Sequence, residues 1–243
     1  MFEILVVGVG IAAGAVASMT GFGIGSLLTP LLATRMDTGL AVAVVAIPHA
    51  IGTALRFWML QGHVDRRVLW TFGLTSAAGG FAGAALQGPT GGRWLALVFG
   101  ILLLFVAAGE LTGLSRRLRF TGAAAWIAGG LSGLLGGLVG NQGGIRSAAL
   151  LGFGLSRQSF VATATAIGLL VDAGRLPVYI VRQPAALAAS WPLAACGAAG
   201  VIVGTIFGAR ALARVPDLVF HRLLAVLLAL LGASMLWRAV AAP

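Results

Sequence analysis

Apolar residues fill the chain in long blocks separated by short polar turns, and the blocks show no strict alternation of apolar and polar positions. Blocks of roughly twenty such residues suit helices that cross about 30 Å of hydrocarbon, whereas a membrane barrel would alternate every second residue. Eight helical spans are predicted on this basis, at 4–20, 39–60, 68–87, 94–112, 121–139, 158–181, 186–209 and 217–238. Two of them run into glycine breaks. Gly21-Phe22-Gly23-Ile24-Gly25 follows the first, and Gly140-Asn141-Gln142-Gly143-Gly144 follows the fifth. After each break comes an apolar segment of about a dozen residues, too short at 1.5 Å each to cross, so each is predicted to be a half-helix.

The breaks stand in register. Sliding the chain by 119 residues superposes its halves without a gap from Gly10 to Arg56, pairing Gly21 with Gly140, Gly25 with Gly144 and Arg56 with Arg175 among other identities. Apolar matches come cheaply in such a composition, but matched helix breaks and matched arginines do not. Paired broken helices in internal repeats are the best sequence pointer to a transporter's binding site. With each half-helix counted as a crossing, every half crosses five times, an odd number that inverts the second half relative to the first. One face then receives Arg66, Arg67, Arg116, Arg117, Arg119, Arg157, Arg210, Arg214 and Arg222, and the other Arg35, Arg93, Arg146, Arg182 and Arg238. In this arrangement the positive-inside rule makes the richer face cytoplasmic and both termini extracytoplasmic, whereas with eight crossings alone the arginine-bearing loops divide almost evenly. The expected fold is an all-α integral membrane protein of two homologous, inverted repeats, 1–120 and 121–243, each of about four spans plus one broken half-helix.

Composition agrees: 59% of residues are hydrophobic and 9% charged, with a mean hydropathy of +1.03. Soluble domains carry about 25% charged residues. The formal net charge of +10 is all arginine and is spread over short loops, which reads as topology; nucleic acid would call for a basic stripe with interleaved aromatics. Cys196 stands alone, so no disulfide framework or cysteine metal site is expected, and it reads as a small residue filling a helix contact. Met1-Phe2-Glu3-Ile4 lacks the positive region of a cleaved signal peptide and is taken as the start of the first span. Glycines four apart recur at Gly10/Gly14, Gly79/Gly83, Gly136/Gly140/Gly144 and Gly200/Gly204/Gly208, a spacing that lets helix backbones approach closely.

Candidate chemistry lies where polar groups enter the hydrocarbon. Ile4 to Ala13 imitates a strand followed by GxGxxA, but no acidic ribose ligand follows a second strand, so a dinucleotide site is set aside. His49, His63 and His221 are far apart, and neither an HExxH nor a GxSxG string occurs, so no metal, cofactor or hydrolytic centre is expected. An ionisable residue at membrane depth faces a cavity, pairs with a partner or marks a substrate path. The second break therefore carries most weight, since Asn141, Gln142, Gly143, Gly144, Arg146 and Ser147 follow one another in it. With Gly21, Gly23, Gly25 and Ser26 of the first break they form the candidate substrate site. Half-helix N-termini offer unpaired N–H groups and partial positive charge to an anion, and a guanidinium adds a two-pronged contact. A second group, Thr163, Thr165, Asp172, Arg175 and Tyr179, shares one span, with Asp172 and Arg175 three apart on one helix face. It reads either as a structural ion pair or as a gating or proton-coupling element. His49 fits a packed, hydrogen-bonded residue or a proton relay, and Arg56 either snorkels to the interface or joins the same element.

Two glycine-broken motifs in corresponding halves resemble the TauE/SafE family of sulfite exporters over nearly the whole chain. The family's G-x-G-G-G followed by a proline-bearing apolar segment is matched by Gly21-Phe22-Gly23-Ile24-Gly25 with Pro30. The second copy carries amides at Asn141 and Gln142 and adds Arg146. The resemblance implies a multi-pass transporter of the inner (plasma) membrane that exports sulfite, a sulfonate, a carboxylate or a related small anion. Alternating access between the repeats is the expected mechanism, with proton coupling and homo-oligomer formation open. A passive anion channel and, further off, a membrane-embedded enzyme are the competing readings.

Overall fold

The computed structural model describes residues 1–88, 92–113, 122–141, 143–208, 210 and 216–241, and every regular element among them is a helix. In chain order these are α1 (Phe2–Thr20), α2 (Ile24–Leu32), α3 (Thr38–Leu60), α4 (Arg66–Leu86), α5 (Gly92–Thr112), α6 (Ala123–Val139), α7 (Gly143–Leu151), α8 (Arg157–Arg182), α9 (Pro184–Ala189), α10 (Trp191–Phe207) and α11 (Asp217–Ala241). Six are long and apolar enough to cross a membrane, and α6 and α10 are shorter apolar helices. The protein is a multi-pass helical membrane protein.

Each glycine break ends a helix in the same way. Gly21 and Gly140 adopt left-handed φ angles of 79° and 74°, which an L side chain resists, and each donates its N–H back to the helix it closes. The segments that follow, α2 and α7, have nine residues each, about 13 Å of helix. α2 turns back on α3: Ile24 lies beside Gly52, while Thr29 lies with Val42 around Gly140. The predicted span at 186–209 is a correction. The chain breaks at Ser190 into α9 and α10, because Pro192 at the start of α10 has no N–H to continue the preceding turn.

Contacts between glycines and backbone give the direction of each helix. Gly10 meets Gly197 and Gly200, Gly14 meets Val201 and Thr205, and Gly204 meets Ile11, so α1 and α10 run parallel. Gly129 against Phe72, Gly133 against Ser76 and Gly137 against Gly80 make α4 and α6 parallel as well. α3 runs with α10 through Pro48 on Gly197 and Gly52 on Val201, and α8 runs with α4 through Leu170 on Gly73 and Ala77 on Gly174. Between the two sets the direction reverses. His49 of α3 meets Asp172 of α8 while Asp65 beyond α3 meets Thr163, and Gly100 and Leu103 of α5 meet Leu236 and Gly232 of α11. A Cβ on Gly79, Gly83, Gly133, Gly137, Gly200 or Gly204 would stand within 2.3 Å of a neighbouring carbonyl oxygen, so these seams admit glycine alone. The α6 seam uses Gly129, Gly133 and Gly137, a four-residue spacing beside the Gly136/Gly140/Gly144 series.

Trp58, Trp70 and Trp126 sit exposed near the helix ends at one face, and Trp94, Trp191 and Trp237 near those at the other. All six tryptophans are thus exposed near helix ends, three at each face, the placement that suits amphipathic rings at a membrane–water interface. Arg66, Arg67, Arg157 and Arg222 belong to the first face and Arg35, Arg93, Arg182 and Arg238 to the second, whereas Arg116, Arg117, Arg119 and Arg214 lie outside the described residues. Arg146 belongs to neither face. It is 2% exposed and points into the interior, which corrects its counting among the loop arginines.

Candidate functional site

The centre of the molecule is where the two breaks touch. A Cβ on Gly25 would stand 2.0 Å from the carbonyl oxygen of Gly140, and one on Gly143 would stand 2.3 Å from the ring of Phe22. Phe22, Gly23, Gly25, Ser26, Asn141, Gly143, His49 and Arg146 surround a void of only about 10 Å3, room for a single water. The first N–H groups of α2 and α7 have no partner within their helices, as at any helix start. Asn141 takes up one through its Oδ1, which accepts the Gly143 N–H at 3.4 Å.

Arg146, in the second turn of α7, donates from Nη2 to the Gly21 carbonyl at 3.0 Å, tying one break to the other. Its Nε and Nη1 are buried without a partner among the described residues. Gly168 of α8 makes room for it. A Cβ there would approach Arg146 Nη1 to 3.2 Å, the Thr53 methyl to 3.5 Å and His49 Cε1 to 3.8 Å. These three side chains converge on one glycine.

A chain of polar contacts continues from there. Arg56 Nη2 donates to the Thr53 hydroxyl at 3.3 Å, and that hydroxyl lies 3.4 Å from His49 Nδ1. His49 Nδ1 is 2.7 Å from Asp172 Oδ2, and Arg175 donates to Asp172 Oδ1 through Nε at 2.9 Å and Nη2 at 2.8 Å. Arg175 Nη1 then donates to the Gly136 carbonyl at 2.6 Å, and the Tyr179 hydroxyl donates to the Gly137 carbonyl. The Gly136 carbonyl also accepts the Gly140 N–H that closes α6, so Arg175 adds a second donor there, and a guanidinium at a helix C-terminus meets the negative end of its dipole. Gln87 completes the cap, donating from Nε2 to Leu138 at 3.0 Å.

The structure thus brings together Gly21, Gly23, Gly25, Ser26, Asn141, Gly143, Arg146, His49, Arg56, Asp172, Arg175 and Tyr179. Gln142 lies outside the described residues, Gly144 is in the first turn of α7, and Ser147 is half-buried beside Arg146. Thr163 stands apart, accepting the Asp65 N–H at 2.9 Å near the opposite end of α8, and Thr165 is buried with its hydroxyl unpartnered among the described residues. Arg56 is 3% exposed, so it does not snorkel to the interface. Phe22, Thr53 and Gly168 were missed by sequence reasoning. The 119-residue register pairs Thr53 with Asp172 and His49 with Gly168, and was the signal that could have found them.

Outside this centre, a second and larger cavity of about 710 Å3 opens between Asp37, Gln87, Gly92, Arg182 and Gln183, where α3 and α5 start and α4 and α8 end. Gln87 and the α8 terminus place it next to the capped end of α6. The profile of the sulfite exporter TauE/SafE family matches residues 6–235. No curated protein and no solved structure matches the chain.

Proposed function

The chain belongs to the sulfite exporter TauE/SafE family, and from that premise we propose that it is a secondary transporter exporting a small sulfur-containing or organic anion: sulfite, a sulfonate or a carboxylate. The buried excess of positive charge carries this reading. Arg56, Arg146 and Arg175 face a single carboxylate, Asp172, and all four are at most 3% exposed. An isolated charge in a medium of low dielectric is costly unless it is paired, and the free Nε and Nη1 of Arg56 and Arg146 leave pairing to the ligand. The anion lies between the starts of α2 and α7, against Arg146, with Gly23, Gly25, Ser26 and Asn141 around it and the first turns of α7, to Ser147, at its edge.

Transport proceeds by alternating access between two inverted repeats, 1–120 and 121–243. Support comes from helix direction: α1 against α6, α3 against α8, α4 against α10 and α5 against α11 are mates in the 119-residue register, and within each pair the helices run oppositely. The 10 Å3 centre also has no room for the anion in this closed arrangement, which favours a carrier over a channel. His49 and Asp172, in contact at 2.7 Å, are the place for coupling to protons. The face bearing Arg66 and Arg67 is cytoplasmic, which leaves both termini outside.

Uptake of radiolabelled sulfite into proteoliposomes tests the reading. A carrier gives saturable uptake that unlabelled anion on the far side accelerates. Uptake that rises linearly with concentration and ignores the far side makes the protein a channel.

A further inference from the structure

Arg56 and Arg175 are mates in the 119-residue register, and so are the residues three positions before them, Thr53 and Asp172. On a helix that spacing puts both members of each pair on one face. In the second half the guanidinium closes on its own carboxylate, at 2.9 and 2.8 Å, and caps Gly136 besides. In the first half a hydroxyl stands where the carboxylate would be. Arg56 reaches it with Nη2 at 3.3 Å and keeps Nε and Nη1 buried and, among the described residues, unpartnered. The protein has therefore built one of two related arginines with an internal oxyanion and the other without.

Resting on the anion reading above, we infer that Arg56 and Thr53 form a second oxyanion-receiving point of the buried site. Ligand oxygens are held there as Asp172 is held by Arg175. Arg56 donates to Thr53, and Thr53 and Arg146 meet at Gly168, so one small ligand faces both arginines. Arg56, Arg146 and Arg175 against Asp172 leave a formal excess of two positive charges, and a site of low dielectric is balanced by a ligand of two negative charges. A planar fork with free N–H groups receives two oxygens at once, and the Thr53 hydroxyl can donate to a third.

The test uses the full chain in detergent, with sulfate as a divalent probe and nitrate as a monovalent one, binding being read by calorimetry and folding by thermal unfolding. Wild-type protein is expected to prefer sulfate. Thr53→Asp supplies the missing carboxylate, so the melting temperature should rise while sulfate affinity falls by about tenfold or more. Arg56→Gln should lower sulfate affinity and narrow the sulfate-to-nitrate preference by about tenfold, and it decides alone if Thr53→Asp does not fold. Wild-type sulfate affinity in Arg56→Gln, or in a folded Thr53→Asp, overturns the inference, as does a wild-type protein that binds nitrate as tightly as sulfate. If Arg146→Ala has meanwhile lost sulfate, the anion site itself stands and only its second point is removed. If Arg146→Ala also binds like wild type, neither arginine holds the anion and at most the half-helix ends receive it; a wild-type protein that binds neither sulfate nor nitrate removes the anion reading itself.

Discussion

Gly25 of the first break packs directly on the carbonyl oxygen of Gly140 in the second, so closely that a single added carbon would lie 2.0 Å from it. The contact joins the two half-helix starts into one site. Gly25→Ala should push the breaks apart at an overpacking cost of about 1–3 kcal/mol and weaken anion binding as well. Gly8→Ala, where no atom lies within 4 Å of the new carbon, is the matched control and should behave as wild type. Thermal unfolding and calorimetry on the two variants check this, and equal behaviour would show that the breaks need no close approach.

Arg146→Lys should retain some anion affinity, because it keeps the charge while losing the planar fork, and Arg146→Ala should nearly abolish it. The Gly21 carbonyl loses its donor in the alanine variant. Sulfite affinity, measured on variants whose unfolding remains cooperative, separates the site role from the tie between the breaks. Wild-type affinity in Arg146→Ala would leave at most the half-helix ends as anion receptor.

Asp172 is held on both sides, by His49 and by Arg175. Asp172→Asn leaves a buried guanidinium uncompensated and should cost about 3–5 kcal/mol, on the scale seen in soluble proteins. Adding Arg175→Met to that background should recover part of the loss, since a thioether needs no partner. The melting temperatures of the three proteins check it; equal values would place the pair outside the packed interior.

Tyr179→Phe removes the donor to the Gly137 carbonyl without changing shape. A buried acceptor left unsatisfied costs about 1–3 kcal/mol, so thermal stability should fall by that order while anion affinity is held. A stable variant with lost affinity would move Tyr179 from helix cap to ligand contact.

Much of the fold is legible along the chain. Hydrophobic blocks longer than soluble helices require dictate membrane helices, and the glycines at 21 and 140 stop their helices because only glycine adopts φ near +75° there without strain. Ionisable residues inside those blocks are conspicuous by their cost, which is why Arg146, Asp172 and Arg175 stand out from sequence alone. Partnership is another matter. Spacing puts Asp172 and Arg175 on one helix face, but His49 is 123 residues from Asp172 and Arg146 is 125 from Gly21, and only packing brings them within reach. Which glycine face of α6 packs, and whether Arg56 reaches the interface or stays inside, depended likewise on what lies opposite. A side chain's own sequence determines what it can offer; the tertiary fold decides what is left to receive it. At Arg175 an internal carboxylate is there, and at Arg56 a threonine stands in the same place and leaves two guanidinium nitrogens without a partner among the described residues.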